Sequence, residues 1–441
     1  MIAFATLFLG LVLGPQPVEL AVQGSEVASV QLLLDSRPVA TISGPPWKHQ
    51  VDLGKTLRPH LLEARAFGAD GTQLADVQQW VNLPRAPAEA ALVLEGDDPL
   101  HPQRARLIWR HIEYATADSI AASLDGASIA VAADGSMALP TYDPTQAHLL
   151  AAELRFKDGT HYRAELSLGG TAGASVDMDL TGVPLRVDGN ATPTVESLSK
   201  VLRLDGQPVQ PVAVDKSPGR VVMVLDQGAA EQLRQIAARG GSLLTPATAV
   251  RAGEEVEFLF PNVEMVPGKD LPARLFTMTQ PFTRESGSFA WMLTRVPVPP
   301  AQQYQRLTDA LAVAALQAAS GARPRAVVLV LGPEPKDESA YGAEEVLRFL
   351  EQLHVPLLVW STGRPSNKTL SEDRRPLHAA SPWGKADDIG SVSRILEAVE
   401  RLRDVLDHQH TVWVEGAHLP SSVTVDRSAR GIHVAGLRAS R

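Results

Sequence analysis

The sequence has no cysteine among its 441 residues. Disulfide frameworks, thiolate zinc sites, iron–sulfur clusters, cysteine nucleophiles and a lipidated cysteine anchor are excluded together. It has no excess of positive charge either, since 41 Lys and Arg face 50 Asp and Glu, a formal net charge of −9. A nucleic-acid binder needs a basic face to neutralise phosphates, so duplex DNA and RNA are not expected partners. No hydrophobic run reaches the ~20 residues needed to cross a bilayer, and no transmembrane anchor is expected. The short motifs of several enzyme classes are missing as well: there is no Gly-x-Ser-x-Gly elbow and no glycine-rich phosphate loop of either type. Ser286-Gly287-Ser288 lacks a strand-to-helix context. A hydrolase built on the α/β part of the chain is a third reading, but with no nucleophile or base to name the chain reads as non-enzymatic, with no catalytic residues and no cofactor.

What is present is ordinary globular material. Hydrophobic residues at 44% and charged residues at 21% exclude a disordered, collagenous or coiled-coil chain. A prior of roughly 150 residues per domain gives about three domains. Ile2 to Leu13 is an uncharged apolar run of 12 residues, the length of a signal-peptide core. Residues 1–14 are therefore expected to be an export signal and the protein to be extracytoplasmic, periplasmic or secreted. The same run also reads as a first strand, because no Lys or Arg precedes Arg37 and Gly14 runs into Pro15. Two sequons, at Asn190 and Asn367, carry meaning only in a host that glycosylates.

Residues 60–72 (HLLEARAFGADGT) align without a gap with 148–160 (HLLAAELRFKDGT). Upstream of each lies a second matching pair, Leu34-Asp35-Ser36 and Leu124-Asp125-Gly126. This internal repeat has β chemistry: short alternating runs separated by turns, with Asp70-Gly71 and Asp158-Gly159 as hairpin turns. It predicts two immunoglobulin-like β-sandwich modules, at 15–85 and 86–170, followed by a β-rich connecting segment at 171–215.

From about residue 216 the periodicity changes. Val221 to Leu225 is a continuous apolar run ending in Asp226, followed by a helical stretch from Ala229 to Arg239 that stops at Gly240-Gly241. The alternation continues with strands at Val256 to Phe260, Leu275 to Thr279, Ala326 to Leu331, Val355 to Ser361 and Thr411 to Glu415. Helices are predicted over Gln302 to Ala319, Tyr341 to Leu353 and Ile389 to Leu406. The first of these carries Tyr304, Leu307, Leu311, Ala314 and Ala318 on one face. The fold class of 216–441 is thus a doubly wound α/β domain with a mainly parallel sheet, Leu275 to Thr279 its antiparallel edge. Ser421 to Ala435 predicts a terminal strand pair.

The strand ending in Asp226, the Thr308-Asp309-Ala310-Leu311 helix start, the strand Arg325 to Leu331, then Gly342-Ala343-Glu344-Glu345-Val346 and Val355-Pro356-Leu357 resemble the von Willebrand factor A domain in its bacterial VWFA-related branch. Leu204-Asp205-Gly206-Gln207-Pro208-Val209 resembles the β-segment that precedes the domain there, so the resemblance covers roughly 178–435. It implies a metal-ion-dependent adhesion site: a divalent ion held by an Asp-x-Ser-x-Ser loop, a Thr before the middle helix and an Asp after the fourth strand. Matched position by position, the first loop reads Asp226-Gln227-Gly228-Ala229-Ala230, so the serine positions fall on Gly228 and Ala230. The threonine position is Gln305 and the second aspartate is Gly332. One carboxylate cannot hold Mg²⁺ against its hydration shell, so the site is expected to be degenerate and to bind no metal, with Asp226 an acidic helix cap. The alternative is a Mg²⁺-dependent adhesion protein with a non-standard shell around Asp226, completed by Glu231, Asp337 or Glu338. Loops 226–230, 300–305 and 332–340 then become the surface for an unidentified protein partner, with Gln227, Glu334, Lys336, Asp337 and Glu338 as contact candidates.

Two histidine patterns remain. His408-Gln409-His410 with Glu415 and His418 has metal-ligand residue types, but it bridges a helix end and a strand, where histidine has a structural use. His60 and His148 recur in the repeat and are expected to start equivalent strands rather than to bind anything.

Overall fold

The computed structural model describes the chain apart from residues 1, 7, 9, 23–25, 85–87, 96–102, 112–115, 144–147, 157–160, 169–179, 190–192, 240–244, 246–247, 266–271, 280–281, 283–287, 296–304, 321–322, 364–380, 417, 427 and 437–441. The sequons at Asn190 and Asn367 lie outside the described residues. The chain divides into two compact units, Met1–Pro84 with Asp179–Arg441, and Arg85–Met178.

The first unit opens with strands β1 (Ile2–Phe4), β2 (Pro15–Val22), β3 (Ser29–Leu34), β4 (Arg37–Ile42), β5 (Lys48–Asp52), β6 (His60–Phe67) and β7 (Gln73–Val81). They form two antiparallel sheets, β1-β2-β5 and β4-β3-β6-β7. Alternation sends Leu62, Ala64 and Ala66 of β6 into a core shared with Val18, Val30, Leu32 and Val51. Gly71, at φ +82°, makes the turn into β7 that a side chain would strain. Part of the apolar run 2–13 is built into this sandwich: Ile2 pairs with Val22, and Ile2, Phe4 and Phe8 are buried in the core.

The second unit contains β8 (Ala88–Glu95), β9 (Arg104–His111), β10 (Ser119–Leu124), β11 (Ala127–Ile129), β12 (Ser136–Ala138), β13 (His148–Arg155) and β14 (His161–Leu168). Its antiparallel sheets are β11-β10-β13-β14 and β12-β9-β8, around Leu107, Leu150 and Leu154. The repeat holds at the level of register. Leu34 of β3 lies opposite Leu62 of β6, as Leu124 of β10 lies opposite Leu150 of β13. The turn residues Asp35 and Asp125 share the same left-handed φ of 50°. The Asp158-Gly159 turn lies outside the described residues.

The rest of the first unit runs β15 (Leu180–Val187), α1 (Val195–Ser199), β16 (Leu202–Leu204), β17 (Gln207–Pro208), β18 (Pro211–Asp215), β19 (Arg220–Leu225), α2 (Gln227–Ala238), β20 (Glu255–Met265), β21 (Pro272–Met278), α3 (Phe289–Arg295), α4 (Leu307–Ala319), β22 (Arg325–Leu331), α5 (Ala343–Gln352), β23 (Leu357–Ser361), β24 (Ala386–Asp388), α6 (Val392–Asp407), β25 (Gln409–Glu415), β26 (Val423–Val425) and β27 (Ile432–Val434). Six of these strands form one sheet in the order β21-β20-β19-β22-β23-β24. All its pairs are parallel except β20 with the edge strand β21, in agreement with the expected edge. Met223 and Leu225 face α2, α3 and α6, whereas Val222 and Val224 face α4 and α5.

Four expectations need correction. Strand β25 is not in the parallel sheet. It lies between β15 and β18 in the antiparallel sheet β18-β25-β15-β27, because its alternating Val412 and Val414 join the core of Val183, Leu185 and Leu202. The terminal strands do not pair with each other: β26 pairs with β16 and β27 with β15. Residues 180–215 are thus one half of a β layer completed by 409–434, rather than a connector. Helix α4 begins at Leu307, five residues after the predicted start, and it is not amphipathic. Ala310, Ala312 and Ala315 are as buried as Leu307, Leu311, Ala314 and Ala318. Its outer side is covered in part by the first sandwich, where Leu57 enters the core around α4 and α5 alongside Leu11 and Leu83. The Leu57 amide donates to Glu345 Oε1 of α5 at 2.7 Å.

Candidate functional site

The chain runs outward in one direction from β19 to β20 and β21, and in the other from β22 to β23 and β24. The carboxyl ends of β19 and β22 therefore flank the crevice that open parallel sheets offer to ligands. Asp226 leaves β19 at that point, with its amide on Val330 O at 3.0 Å. Its side chain is 2% exposed. It holds the N-cap position of α2 without a direct side-chain cap hydrogen bond, although the first-turn amides of Gly228 and Ala229 still favour its carboxylate. Oδ2 accepts the Gly332 amide across the crevice at 2.8 Å.

The four positions matched to vanished ligands are brought together only in part. A Cβ on Gly332 would stand 2.6 Å from Asp226 Oδ2 and 2.8 Å from the Gly228 carbonyl carbon, so no side chain fits there. A Cβ on Gly228 would lie 3.3 Å from the same oxygen. Gln305 sits alongside: its Oε1 accepts the Gln227 amide at 3.2 Å, and its side chain also hydrogen-bonds the Asp226 carboxylate. Ala230 points away into the core beneath α2. Burial pushes the Asp226 carboxyl above the usual carboxylate range. The Gly332 and Gly228 amides, the Gln305 side chain and the Ala229 amide oppose that shift without cancelling it. The groups converging on the carboxylate are donors. Among the described residues no cluster of three or more His, Cys, Asp or Glu is arranged to hold a metal ion. Of the substitute oxygens considered, Glu231 is turned to Gln235 and Arg234 along α2.

The contact candidates on the loop after β22 divide by what they touch. Glu334, Lys336 and Glu338 are exposed. Asp337 is exposed as well but is engaged within the chain: it accepts the Thr308 hydroxyl and the Ser339 amide. Thr308 Oγ1 in turn accepts the indole N–H of Trp383 at 2.9 Å. Asp309 accepts the amides of Ala340 and Tyr341, both at 3.0 Å, while its own amide donates to Ser339 Oγ at 3.0 Å. The first turn of α4, which has no cap of its own, is thus capped by the loop. Sequence spacing shows Thr308 and Asp309 as a helix start but gives no signal for partners some 30 positions away. Gln227 is half-buried, and of the 300–305 loop only Gln305 is described.

The histidines do not converge. His408 is the C-cap of α6, so it does not share a strand face with His410, and its Nδ1 bonds Asp404 O at 2.8 Å. His410 is buried in β25, and His418 Nε2 bonds Glu415 O at 2.8 Å. Burial and the nearby Lys216 charge hold the His410 imidazole below its ordinary value. Ser288 is buried against Thr248, its hydroxyl 3.1 Å from Thr248 Oγ1. His60 and His148 each bond the aspartate of the equivalent turn, Asp35 at 2.9 Å and Asp125 at 2.6 Å.

No family model matches the chain, and no curated protein matches it. Among solved structures it is similar to the fibronectin(III)-like modules of Clostridium thermocellum CbhA, with 11% identity over 38% of this chain and 95% of that one, at a TM-score of 0.16. It is also similar to the central fibronectin-III array of RIM-binding protein, with 8% identity over 42% and 77% and a TM-score of 0.23. A third likeness is to Bacteroides ovatus SGBP-B in complex with a mixed-linkage heptasaccharide, with 17% identity over 48% and 57% and a TM-score of 0.14. At such TM-scores these likenesses assign no activity to this chain. No helix among the described residues is long and apolar enough to cross a membrane.

Proposed function

We propose that this chain is a non-enzymatic, extracytoplasmic interaction protein. In this reading, immunoglobulin-like modules accompany an α/β domain of the von Willebrand factor A type that works without metal and docks a protein through its apical loops. The mainly parallel six-stranded sheet with an antiparallel edge supports the A-type assignment. The observation that carries the metal-free reading is the ring of donors on Asp226. A cation beside this carboxylate would face the Gly332 amide and the Gln305 side chain, where a Mg²⁺ ion needs several oxygens in near-octahedral array. Recognition then falls to the half-buried Gln227 at the start of α2 and to the exposed side chains of Glu334, Lys336 and Glu338, on a loop stiffened by Pro333 and Pro335 and tied to α4.

The test is a thermal-melt series on the whole chain in Mg²⁺, Mn²⁺ and EDTA, with calorimetric titration of both ions. Superimposed melts and no binding heat are the expected result. A rise of several degrees in Mg²⁺ that vanishes in Asp226→Ala would overturn the metal-free reading in favour of a metal-dependent adhesion site.

A further inference from the structure

The duplicated histidines are alike in position but not in surroundings. In the second unit His148 stands between two oxygens: Nδ1 lies 2.6 Å from Asp125 Oδ2 in the β10–β11 turn, and Nε2 lies 2.8 Å from the Asp143 carbonyl. A neutral imidazole has one N–H and one lone pair, so it can satisfy only one of these acceptors; the imidazolium, with two donors, satisfies both. Among the described residues, the charged groups facing the ring are the carboxylates of Asp125 and Asp143, with the Tyr142 ring edge-on at 5.2 Å. In the first unit His60 also contacts two oxygens, Asp35 Oδ2 at 2.9 Å and Leu53 O at 3.1 Å. There, however, Arg58 Nε approaches Nε2 at 3.4 Å and offers a donor that a neutral ring can accept.

From this geometry we infer that Asp125–His148–Asp143 is a proton-dependent tie in the second unit: the protonated ring fastens the β10–β11 turn to the chain at Asp143, and loss of the proton releases one of the two contacts. The hydrogen bonds to Asp125 and to the Asp143 carbonyl raise the His148 imidazole above its ordinary value. Its folded value therefore lies above its unfolded one. The tie is complete below about pH 6.5 and is lost as pH rises through the folded value.

The test is a pH titration of the full chain carrying ¹³C-labelled histidine, with the His148 resonance assigned from His148→Gln, together with hydrogen-exchange protection corrected for intrinsic rates. The expected result is a His148 midpoint above about 6.5 and a severalfold loss of protection across β10 and its turn above that midpoint, with the Asp35 turn as internal reference. Asp125→Asn should lower the midpoint and remove the pH dependence, and it serves as the second variant if His148→Gln does not fold. A midpoint at or below the free value, protection that ignores pH, or an unchanged midpoint in Asp125→Asn would each overturn the inference.

Discussion

At Asp226 the balance between burial and hydrogen bonding can be read from its pH dependence. The folded carboxyl lies above its unfolded value, so its contribution to stability is complete below about pH 3.9 and is lost as pH rises through the folded value. Asp226→Asn keeps an oxygen for the Gly332 amide and discards the buried charge. The variant should therefore gain on the wild type as pH rises above the unfolded value of about 3.9, in calorimetric melts of the whole chain. A wild type that instead gained on the variant over that range would mean that the donors outweigh burial. This residue shows where sequence reading works and where it stops. Position counting named Asp226, Gln305 and Gly332, and the fold does gather them. The reach of the Asp226 side chain to the Gly332 amide was not legible, because an aspartate before a helix reads as a cap whether or not it also bonds a strand end 106 residues away.

Among the elements, the buried parallel strands were legible because each is a continuous apolar run, and the sandwich strands because they alternate and recur. Strand β24, Ala386–Asp388, was missed, since three residues with two acids carry no pattern that says strand. Strand β25 was recognised as a strand but assigned to the wrong sheet. Its neighbours Pro184 and Val214 lie some 200 residues upstream, and alternation does not specify a distant partner. The tie between α4 and the loop after β22 has the same non-local origin and a measurable weight. Thr308→Val should strand the buried Trp383 N–H and take one donor from Asp337, costing about 1–3 kcal/mol, whereas Thr308→Ser should stay near the wild type. Melting curves report the stability difference. Proteolysis at 333–342 reports the loop, and equal cleavage of the two variants would remove Thr308 from its positioning role.

Across the whole molecule, the first sandwich is part of the α/β unit through Leu57, Leu11 and Leu83, although residues 85–178 intervene in sequence. Leu57→Ala empties a fully enclosed position and should cost about 2–5 kcal/mol. The expected signature is a separate, earlier calorimetric transition for the sandwich; a single unshifted transition would mean that the docking contributes nothing. No feature of the sequence announced this docking, because a leucine that fills a neighbouring domain's core reads like one that fills its own. The contact also sets a schedule for synthesis. The Leu57 amide and the Glu345 carboxylate that receives it are 288 residues apart in the chain. At about 5–20 residues per second, the sandwich emerges roughly 15–60 s before its docking surface exists. Throughout that interval the leucine that later closes the core is a greasy knob in open water, and the nascent chain has to carry it there without sticking to anything else.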